Sequence, residues 1–480
     1  VSKRFTISEE EFRDKNEKAE DTLFNNNFIH FSFGIFNLDE EFEQFSNDLG
    51  VEPKLHSENF NIDIVHRTPY HRSFWSMGLA YYTQSHDEYK WSAFIGQFTY
   101  YWSLIKSRVF TIDLYGGVMI TGSHNPPEYN GFKISQGVHS LYGEKVQELK
   151  RLIDANDFEI GTGNTNQREV LGHYMEKICS ILKISRKVKV VVDGGNGCFG
   201  IVGPDLLRKL GQNPIELFSE PDGTFPNHHP DPTVTEHLTH LIAKVRSENA
   251  ELGIGFDGDA DRIGVVDEKG NILWGDQLLT IFARDILSRN PGATIVGEVK
   301  CSQNLYRDIK NHGGVPIMAA AGHSLIKNKM RETGALLAGE MSGHICFSDN
   351  YYGFDDAVFA ACRVLQIVAE SKQKVSEMLA DLPKTASTPE IRIDCPDDKK
   401  FEIVRELTEN FKEKYDVIDI DGVRIKFEGG WALIRASNTQ AILVLRFEAV
   451  NEERLQELMA LVKIQIDKYQ PVVQFDYKSC

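Results

Sequence analysis

The stretch Leu252–Asp267 reads LGIGFDGDADRIGVVD and places three aspartates between two short apolar runs. These runs, bounded by turn residues, predict two strands joined by an acidic turn. Asp257, Asp259 and Asp261 occupy every second position, so their carboxylates can converge on one point. Oxygen ligands in that arrangement suit a hard divalent cation, which predicts a magnesium site in the turn.

Two other interpretations of this acidic turn stay open. An EF-hand loop would have Glu268 at its twelfth position, but Arg262 stands at the sixth, where such a loop needs glycine. Three solvated acids in a hairpin turn are the simpler alternative, although so dense a triplet is unfavourable without a counter-charge. The Arg262 guanidinium suits a phosphate group, so we predict a metal that itself binds a phosphate.

Strand and helix patterns alternate on both sides of the acidic turn. Residues 187–192 and 294–299 have the pattern of strands, and residues 322–333 have that of a helix. Repeated strand–helix–strand units predict α/β domains with largely buried sheets. Residues 383–390 are polar with a proline near each end, which predicts a linker to a separate α+β domain.

A second informative stretch, residues 116–134, reads GGVMITGSHNPPEYNGFKI. It places Ser123 in a tight turn at a strand end, with His124 beside it and Lys133 ten residues further on. A phosphorylated Ser123 would be a phosphoryl donor whose charge the metal neutralises. A serine that merely caps a proline-stiffened turn is the structural alternative, and the acidic turn makes it less attractive.

Two further loops suit a sugar phosphate. In GEMSGH, residues 339–344, Glu340 and Ser342 alternate by two after a predicted strand and could hydrogen-bond vicinal hydroxyls. In RASNT, residues 435–439, one cation and three short polar side chains join two strands, which favours phosphate binding. Weaker candidates are Lys300, directly after the strand predicted at 294–299, and His323, which could equally be a structural histidine.

Composition excludes several classes of partner. The net charge of −17 at pH 7 argues against nucleic acid and anionic membranes, which require a basic surface. We also find no apolar run of about 18 residues and no secretory signal. The seven scattered cysteines predict reduced thiols in the cytoplasm. The adjacent histidines of FPNHHPDP, residues 225–232, lack the spacing of metal ligands.

Five motifs in order, TGSHNPPEYNGFKI, DGTFPNHHPDP, GFDGDADRIGVVD, GEMSGH and RASNT, closely resemble the α-D-phosphohexomutase family. The GEMSGH form is most similar to the bacterial phosphomannomutase/phosphoglucomutase branch. The resemblance covers residues 116–480 and implies three similar α/β domains with mixed sheets and a smaller C-terminal α+β domain around a central cleft. The domain boundaries that we predict are 1–168, 169–270, 271–382 and 383–480.

The resemblance also implies the roles of individual residues. The metal ligands would be the phosphate on Ser123, Asp257, Asp259 and Asp261. Around the reacting phosphate would lie His124, Lys133 and Arg262. The sugar O3 and O4 hydroxyls would be bound by Glu340 and Ser342. The substrate cleft would be lined by Lys300, His323 and His344. The non-reacting phosphate would be bound by Arg435, Ser437, Asn438 and Thr439.

The implied activity is reversible phosphoryl transfer between the 1- and 6-positions of a glucose or mannose phosphate. It would use Mg²⁺ and pass through a hexose 1,6-bisphosphate, which also acts as activator. Two alternatives stay open: a phosphatase in which Ser123 passes its phosphate to water, and a catalytically impaired sugar-phosphate binding protein. The GEMSGH and RASNT loops argue against the phosphatase.

Residues 1–115 differ from the rest of the chain. They contain 24 of the 50 Phe, Tyr and Trp residues but only 4 of the 38 glycines. The family's YDIRG-like and VGRD-like stretches have no counterpart there. Divergence of the segment and an error of reading frame both explain this composition, and we predict no functional residue within it.

Overall fold

The computed structural model describes residues 27–34, 57–67, 74–86, 89–101, 116–137, 139–158, 167–438 and 440–473. The chain divides into two units, residues 1–118 with 134–164, and residues 119–133 with 165–480. Whether divergence or a frame error explains the composition of residues 1–115 stays a prediction, since much of that segment lies outside the described residues.

The described N-terminal part contains two sheets. The first is antiparallel in chain order and consists of β1 (Asn27–Gly34), β2 (Ser57–Arg67), β3 (Phe74–His86) and β4 (Tyr89–Tyr101). The second consists of β5 (Gly116–Thr121), β6 (Gly131–Gln136) and β7 (His139–Ser140), and α1 (Glu144–Asp154) follows it. The loop between β5 and β6 belongs to the second unit and contains Ser123.

The sheet that carries the acidic turn is mixed. Its strands are β8 (Val190–Asp193), β9 (Ile215–Leu217), β10 (Leu252–Phe256), β11 (Ile263–Asp267) and β12 (Ile272–Leu273), in the order β12-β11-β10-β8-β9. The pairs of β8 with β9 and β10 are parallel, whereas β11 pairs antiparallel with β10 and β12. The helices of this region are α2 (Leu171–Ile181), α3 (Phe199–Lys209) and α4 (Thr239–Glu248).

The next sheet has the order β14-β13-β15-β16. Its strands are β13 (Thr294–Glu298), β14 (Val315–Ala319), β15 (Leu337–Gly339) and β16 (Ile345–Phe347). The helices here are α5 (Gly275–Arg289), α6 (Gln303–Asn311), α7 (His323–Thr333) and α8 (Ala357–Glu370). Side-chain caps begin α6 and α8, because Ser302 accepts the Asn304 N–H and Asp356 accepts the Phe359 N–H.

The last domain is an antiparallel sheet with two helices. Its strands are β17 (Ala386–Ser387), β18 (Ile391–Asp394), β19 (Val417–Ile418), β20 (Val423–Phe427), β21 (Gly430–Ala436) and β22 (Ile442–Ala449). Its helices are α9 (Asp397–Lys412) and α10 (Glu452–Ile466). Asn451 caps α10 by accepting the Arg454 N–H, and the apolar face of α10 packs into the core of this domain.

The cores position the site by fixing where strands end. One continuous apolar cluster joins the sheet of β8–β12 to that of β13–β16, and the last domain has its own cluster. Since β13, β14 and β15 are parallel, the loops after them meet at one edge of their sheet. Among the described residues, no helix has both the length and the apolar character needed to cross a membrane.

Candidate active site

The loop after β5 presents Ser123 at a sharp turn. Ser123 has a φ of 50°, in the left-handed region that residues other than glycine rarely adopt. Its hydroxyl Oγ donates to Asp257 Oδ2 at 3.2 Å and lies 3.1 Å from His124 Nδ1. The serine and the acidic turn, 134 residues apart in sequence, are therefore neighbours in the fold.

Two close contacts join the serine loop to the acidic turn. A Cβ at Gly258 would lie 2.2 Å from the Ser123 carbonyl oxygen, so this approach requires glycine. The Thr121 hydroxyl donates to Asp259 Oδ2 and accepts the Ser123 N–H, both at 2.8 Å. These contacts fix the position of Ser123 relative to the aspartates.

The three aspartates form a buried acidic cluster. Asp257 Oδ1 accepts the backbone N–H groups of Asp261 and Arg262, both at 3.0 Å. One carboxylate oxygen from each of Asp257, Asp259 and Asp261 lies within 4.8 Å of the other two. Burial and the charges of the two neighbouring carboxylates raise the pKa of Asp257 well above its ordinary value.

This cluster fits a hard divalent cation. Asp259 Oδ1 is buried without a hydrogen-bond partner, which is unfavourable for a carboxylate oxygen unless a cation lies beside it. Burial and the charges of the neighbouring carboxylates both raise the pKa of Asp257, and a bound cation would offset these effects. Ligands that offer only oxygen favour Mg²⁺ over zinc.

Lys133, on β6, also contacts the acidic cluster. Its Nζ donates to Asp259 at 2.7 Å and also to Asp261. Burial lowers the pKa of Lys133, but the two carboxylates outweigh burial and raise the pKa above its ordinary value. The lysine is therefore charged at neutral pH.

His344 connects the acidic turn to the GEMSGH loop. Its Nε2 accepts the Arg262 Nε–H at 3.2 Å, and its Nδ1 lies 3.0 Å from Glu340 Oε2. Burial and the Arg262 charge lower the pKa of His344 well below its ordinary value, so the ring is neutral. The same Nε2 also lies 3.1 Å from Asp261 Oδ1, so the ring contacts both the acidic turn and the GEMSGH loop.

A second cluster of ligand-type atoms is a hydrogen-bond network. Asp261, His344 and Asp355 offer atoms within 4.8 Å of one another. Asp355, however, lies 3.1 Å from His323 Nδ1 and accepts the Lys327 ammonium at 2.8 Å. The Lys327 ammonium therefore already neutralises Asp355, which also contacts His323.

Glu340 is buried directly after β15. Its Oε1 accepts the Gly322 N–H at 2.7 Å, and burial together with the Glu298 charge raises its pKa. Because β15 ends at Gly339, Glu340 lies in the turn that follows this strand.

Lys300 and Arg435 each pair with buried or half-buried acids. Lys300 Nζ lies 3.2 Å from Glu390 and 3.8 Å from Glu298. Burial lowers the pKa of Lys300, but the two carboxylates outweigh burial and raise the pKa above its ordinary value. The Glu340 charge also raises this pKa, and the Arg435 charge lowers it. The Arg435 Nε–H donates to Asp421 at 2.8 Å, which orients the guanidinium.

The rest of the RASNT loop follows β21. Ser437 is buried and its hydroxyl accepts the Gln440 N–H at 3.2 Å, while Asn438 is exposed. Thr439, which the resemblance assigns to the non-reacting phosphate, lies outside the described residues.

Comparison with protein families now decides the classification. Four models of phosphoglucomutase/phosphomannomutase domains match the chain: domain I at residues 104–159, domain II at 172–270, domain III at 274–386 and the C-terminal domain at 390–464. The chain belongs to the phosphoglucomutase/phosphomannomutase family. This confirms the predicted family and the predicted fold class, since the first three models describe α/β/α domains.

Curated members of the family cover most of the chain. The phosphomannomutase/phosphoglucomutase of Pseudomonas aeruginosa is 47% identical over 351 residues, which are 73% of this chain and 76% of that protein. The phosphoglucomutase of Neisseria gonorrhoeae is 44% identical over 356 residues, 73% of this chain and 77% of that protein. The chain is thus an isomerase of the phosphomutase class.

A solved structure of the family agrees with the fold. A phosphoglucomutase/phosphomannomutase family protein from Burkholderia thailandensis matches with a TM-score of 0.71 and 41% identity, over 78% of this chain and 80% of that chain. The matching part of domain I begins at residue 104, so the family comparison leaves residues 1–103 unmatched.

The sequence did not reveal several partners of the family residues. Thr121, Glu298, Asp355, Glu390 and Asp421 each contact a predicted site residue. Glu298 ends a buried strand, and a fully buried glutamate at a strand end is a signal that could have been noticed. Thr121 ends β5, and the other three lie in loops with no pattern of their own.

Proposed function

We propose that the protein interconverts hexose 1- and 6-phosphates through a phosphorylated Ser123. The observation that carries this proposal is the 3.2 Å separation of Ser123 Oγ from Asp257 within a buried acidic cluster. A hydroxyl that donates to a carboxylate is placed to accept a phosphoryl group, and a phosphate attached to it could share a cation with the acidic cluster.

Residues on three sides would stabilise the transferring group. Asp257, Asp259 and Asp261 would bind Mg²⁺ together with the Ser123 phosphate, and Lys133 and the neighbouring Arg262 add positive charge. When bound, Mg²⁺ neutralises charge on the transferring phosphoryl group. His124 Nδ1, 3.1 Å from Ser123 Oγ, is placed to hydrogen-bond the ester oxygen.

The reaction consists of two balanced transfers. In the first, the bond between phosphorus and Ser123 Oγ breaks and a bond to the free sugar hydroxyl forms. The hydroxyl proton leaves the sugar and Ser123 Oγ regains a proton, which yields a hexose 1,6-bisphosphate. In the second transfer, the other phosphate of this intermediate moves to Ser123. Added bisphosphate would therefore also act as an activator, because it would phosphorylate enzyme whose Ser123 carries no phosphate.

The bisphosphate must bind in two orientations, one with each phosphate at Ser123. The sugar would therefore be recognised at groups that are available in both orientations. Glu340 and Ser342 would bind O3 and O4, with Lys300 and His323 beside them. Arg435 and its loop neighbours Ser437, Asn438 and Thr439 would bind the non-reacting phosphate. Because C2 is not contacted in this scheme, glucose and mannose phosphates would both be substrates.

His344, predicted as a substrate-binding residue, has a more specific place in the proposal. It lies between Arg262 and Glu340 and bonds both. It would therefore fix the position of the Arg262 guanidinium relative to the Glu340 carboxylate, in addition to lining the cleft.

We further propose a cytoplasmic location. Six cysteines in the described part of the chain are free: Cys179, Cys198, Cys301, Cys346, Cys362 and Cys395. Unpaired thiols, four of them buried, are typical of a reducing compartment.

A coupled assay tests the proposed function. The protein is given glucose 1-phosphate or mannose 1-phosphate with Mg²⁺ and a trace of the matching 1,6-bisphosphate, and the 6-phosphate is measured. We expect conversion of both substrates and stimulation by the bisphosphate. Release of inorganic phosphate in place of the 6-phosphate would indicate the phosphatase, and absence of both products would indicate a binding protein.

A further inference from the structure

The adjacent histidines of FPNHHPDP have no role in the scheme above. One of them, His229, reaches the serine loop: its Nε2 hydrogen-bonds the main-chain carbonyl oxygen of His124. His124 is the residue directly after Ser123. A side chain from the FPNHHPDP loop therefore contacts the backbone on which the phosphoryl donor is built.

The loop that carries His229 is held firmly. The ring of its neighbour His228 lies 3.1 Å from both carboxylate oxygens of Asp193, at the end of β8. The Asn227 amide donates to Asn196 at 2.8 Å. Pro230 is buried and packs so closely on Gly195 that a Cβ there would lie 2.9 Å from the proline Cβ. His229 thus projects from a rigid support.

The contact of His229 with the serine loop does not involve the Ser123 hydroxyl. A carbonyl oxygen can only accept, so His229 Nε2 must donate, and it does so in the neutral Nε2–H tautomer and in the charged ring alike. By contrast, Ser123 Oγ donates to Asp257 only while it carries a proton, which a phosphoserine ester lacks. Phosphorylation of Ser123 would therefore remove this side-chain contact, whereas the His229 contact could persist.

The same loop also touches the phosphate-binding arginine. Asp231 Oδ1 lies 3.9 Å from Arg262 Nη1, two residues after His229. One rigid segment therefore contacts both the backbone of the donor loop and the guanidinium that would bind the transferred group.

We propose that His229 is a positioning residue, which holds the serine loop against the acidic turn through the His124 carbonyl in both the phosphorylated and the free enzyme. The inference rests on the proposed role of Ser123 as phosphoryl donor. Loss of the contact would displace the Ser123 phosphate ester from the reacting sugar hydroxyl but would leave the sugar-binding loops in place.

Three variants separate positioning from folding. His229→Leu removes the donor and leaves a bulky apolar side chain, whereas His229→Gln keeps an N–H donor at a similar reach. His240→Leu is the matched control, because His240 is an exposed histidine whose ring centre lies 6.1 Å from that of His228. Far-UV circular dichroism and thermal melting establish that each variant is folded.

The measurements are kcat, KM and single-turnover transfer from isolated phosphoenzyme to glucose 1-phosphate. For His229→Leu we expect kcat and the single-turnover rate to fall about 10- to 100-fold, the loss typical of small misplacements of a reacting group, with KM within about two-fold. His229→Gln should restore most of the rate, and His240→Leu should match the wild type.

Several results would overturn the inference. These are a normal kcat in folded His229→Leu, a change in KM alone, or a glutamine variant as slow as the leucine variant. If His229→Leu does not fold, His229→Asn replaces it, because asparagine is too short to reach the carbonyl. A wild type without mutase activity would instead contradict the proposed function and the inference together.

Discussion

The Ser123 hydroxyl oxygen lies 3.2 Å from a carboxylate oxygen of Asp257, a side chain with no exposed surface. This pair joins the proposed phosphoryl donor to the proposed metal site. Substitution at either residue should therefore slow phosphoryl transfer. At Asp257 the cause would be weaker magnesium binding, and at Ser123 it would be loss of the atom that carries the phosphoryl group.

Replacement of Asp257 should weaken the response to magnesium. Asp257→Asn is nearly isosteric and can still accept the Asp261 and Arg262 N–H groups through its amide oxygen, but it removes one negative charge from the cluster. We expect kcat to fall about 100-fold or more and half-saturation to require at least about ten-fold more Mg²⁺. The measurement is initial rate against Mg²⁺ concentration, with Mg²⁺ binding by calorimetry as a second readout.

The control for that experiment is Asp205→Asn, because Asp205 is exposed and pairs only with Arg208 among the described residues. It should behave as the wild type. An Asp257→Asn variant with unchanged magnesium dependence would contradict the metal assignment.

Removal of the Ser123 hydroxyl should abolish turnover without abolishing binding. Ser123→Ala takes away the atom that carries the phosphoryl group, so we expect kcat to fall about 10³-fold or more. Glu340, Lys300 and the RASNT loop are untouched, so the dissociation constant of glucose 6-phosphate, measured by calorimetry, should change by less than about three-fold. Near-normal turnover in this variant would exclude the donor role.

Substitution of Glu340 should act on sugar recognition. Glu340→Ala leaves vicinal sugar hydroxyls without an acceptor and also removes the partner of His344 Nδ1 and of the Gly322 N–H. We expect kcat/KM to fall about 10²-fold, as is typical when a buried polar group loses its partner.

The comparison for Glu340 is Glu340→Gln, which keeps an acceptor oxygen, and the control is the exposed Glu332→Ala. The glutamine variant should retain more of the activity than the alanine variant. Unchanged substrate affinity in Glu340→Ala would show that the sugar-loop assignment is wrong.

Arg424 should contribute to stability more than to chemistry. Its guanidinium is buried, donates to the Val299 and Cys301 carbonyl oxygens at 2.5 and 2.8 Å, and lies 3.6 Å from the centre of the Trp431 ring. Arg424→Met leaves buried carbonyl groups unpaired, so we expect a loss of about 2 kcal/mol or more in the free energy of unfolding.

Urea unfolding followed by intrinsic fluorescence measures this loss. Arg405→Met, at an exposed position of α9, is the control and should change the unfolding midpoint very little. Equal midpoints for the two variants would contradict the importance of the Arg424 contacts.

Local patterns predicted much of the fold. The acidic turn lies between β10 and β11, the two strands that its apolar flanks indicate. The helix predicted at residues 322–333 is α7, His323–Thr333, and the strand predicted at 294–299 is β13, Thr294–Glu298. These elements have strong periodicity, which sequence alone reveals.

Other features could not be predicted in this way. The predicted linker at residues 383–390 contains β17, Ala386–Ser387, whose pairing with β22 depends on residues about 60 positions away. Thr121 looks like an ordinary strand residue, and only its contact with Asp259 shows its place in the site. The domain boundaries and the roles of the site residues stay predictions, to be tested by the variants above.

The most direct test of the account is the location and fate of the enzyme's phosphate. The protein is treated with glucose 1,6-bisphosphate, purified, and mapped by peptide mass spectrometry before and after addition of glucose 6-phosphate. The account predicts one phosphate on Ser123 that disappears as an equal amount of glucose 1,6-bisphosphate forms. A phosphate on another residue, or its release as inorganic phosphate, would contradict the central claim.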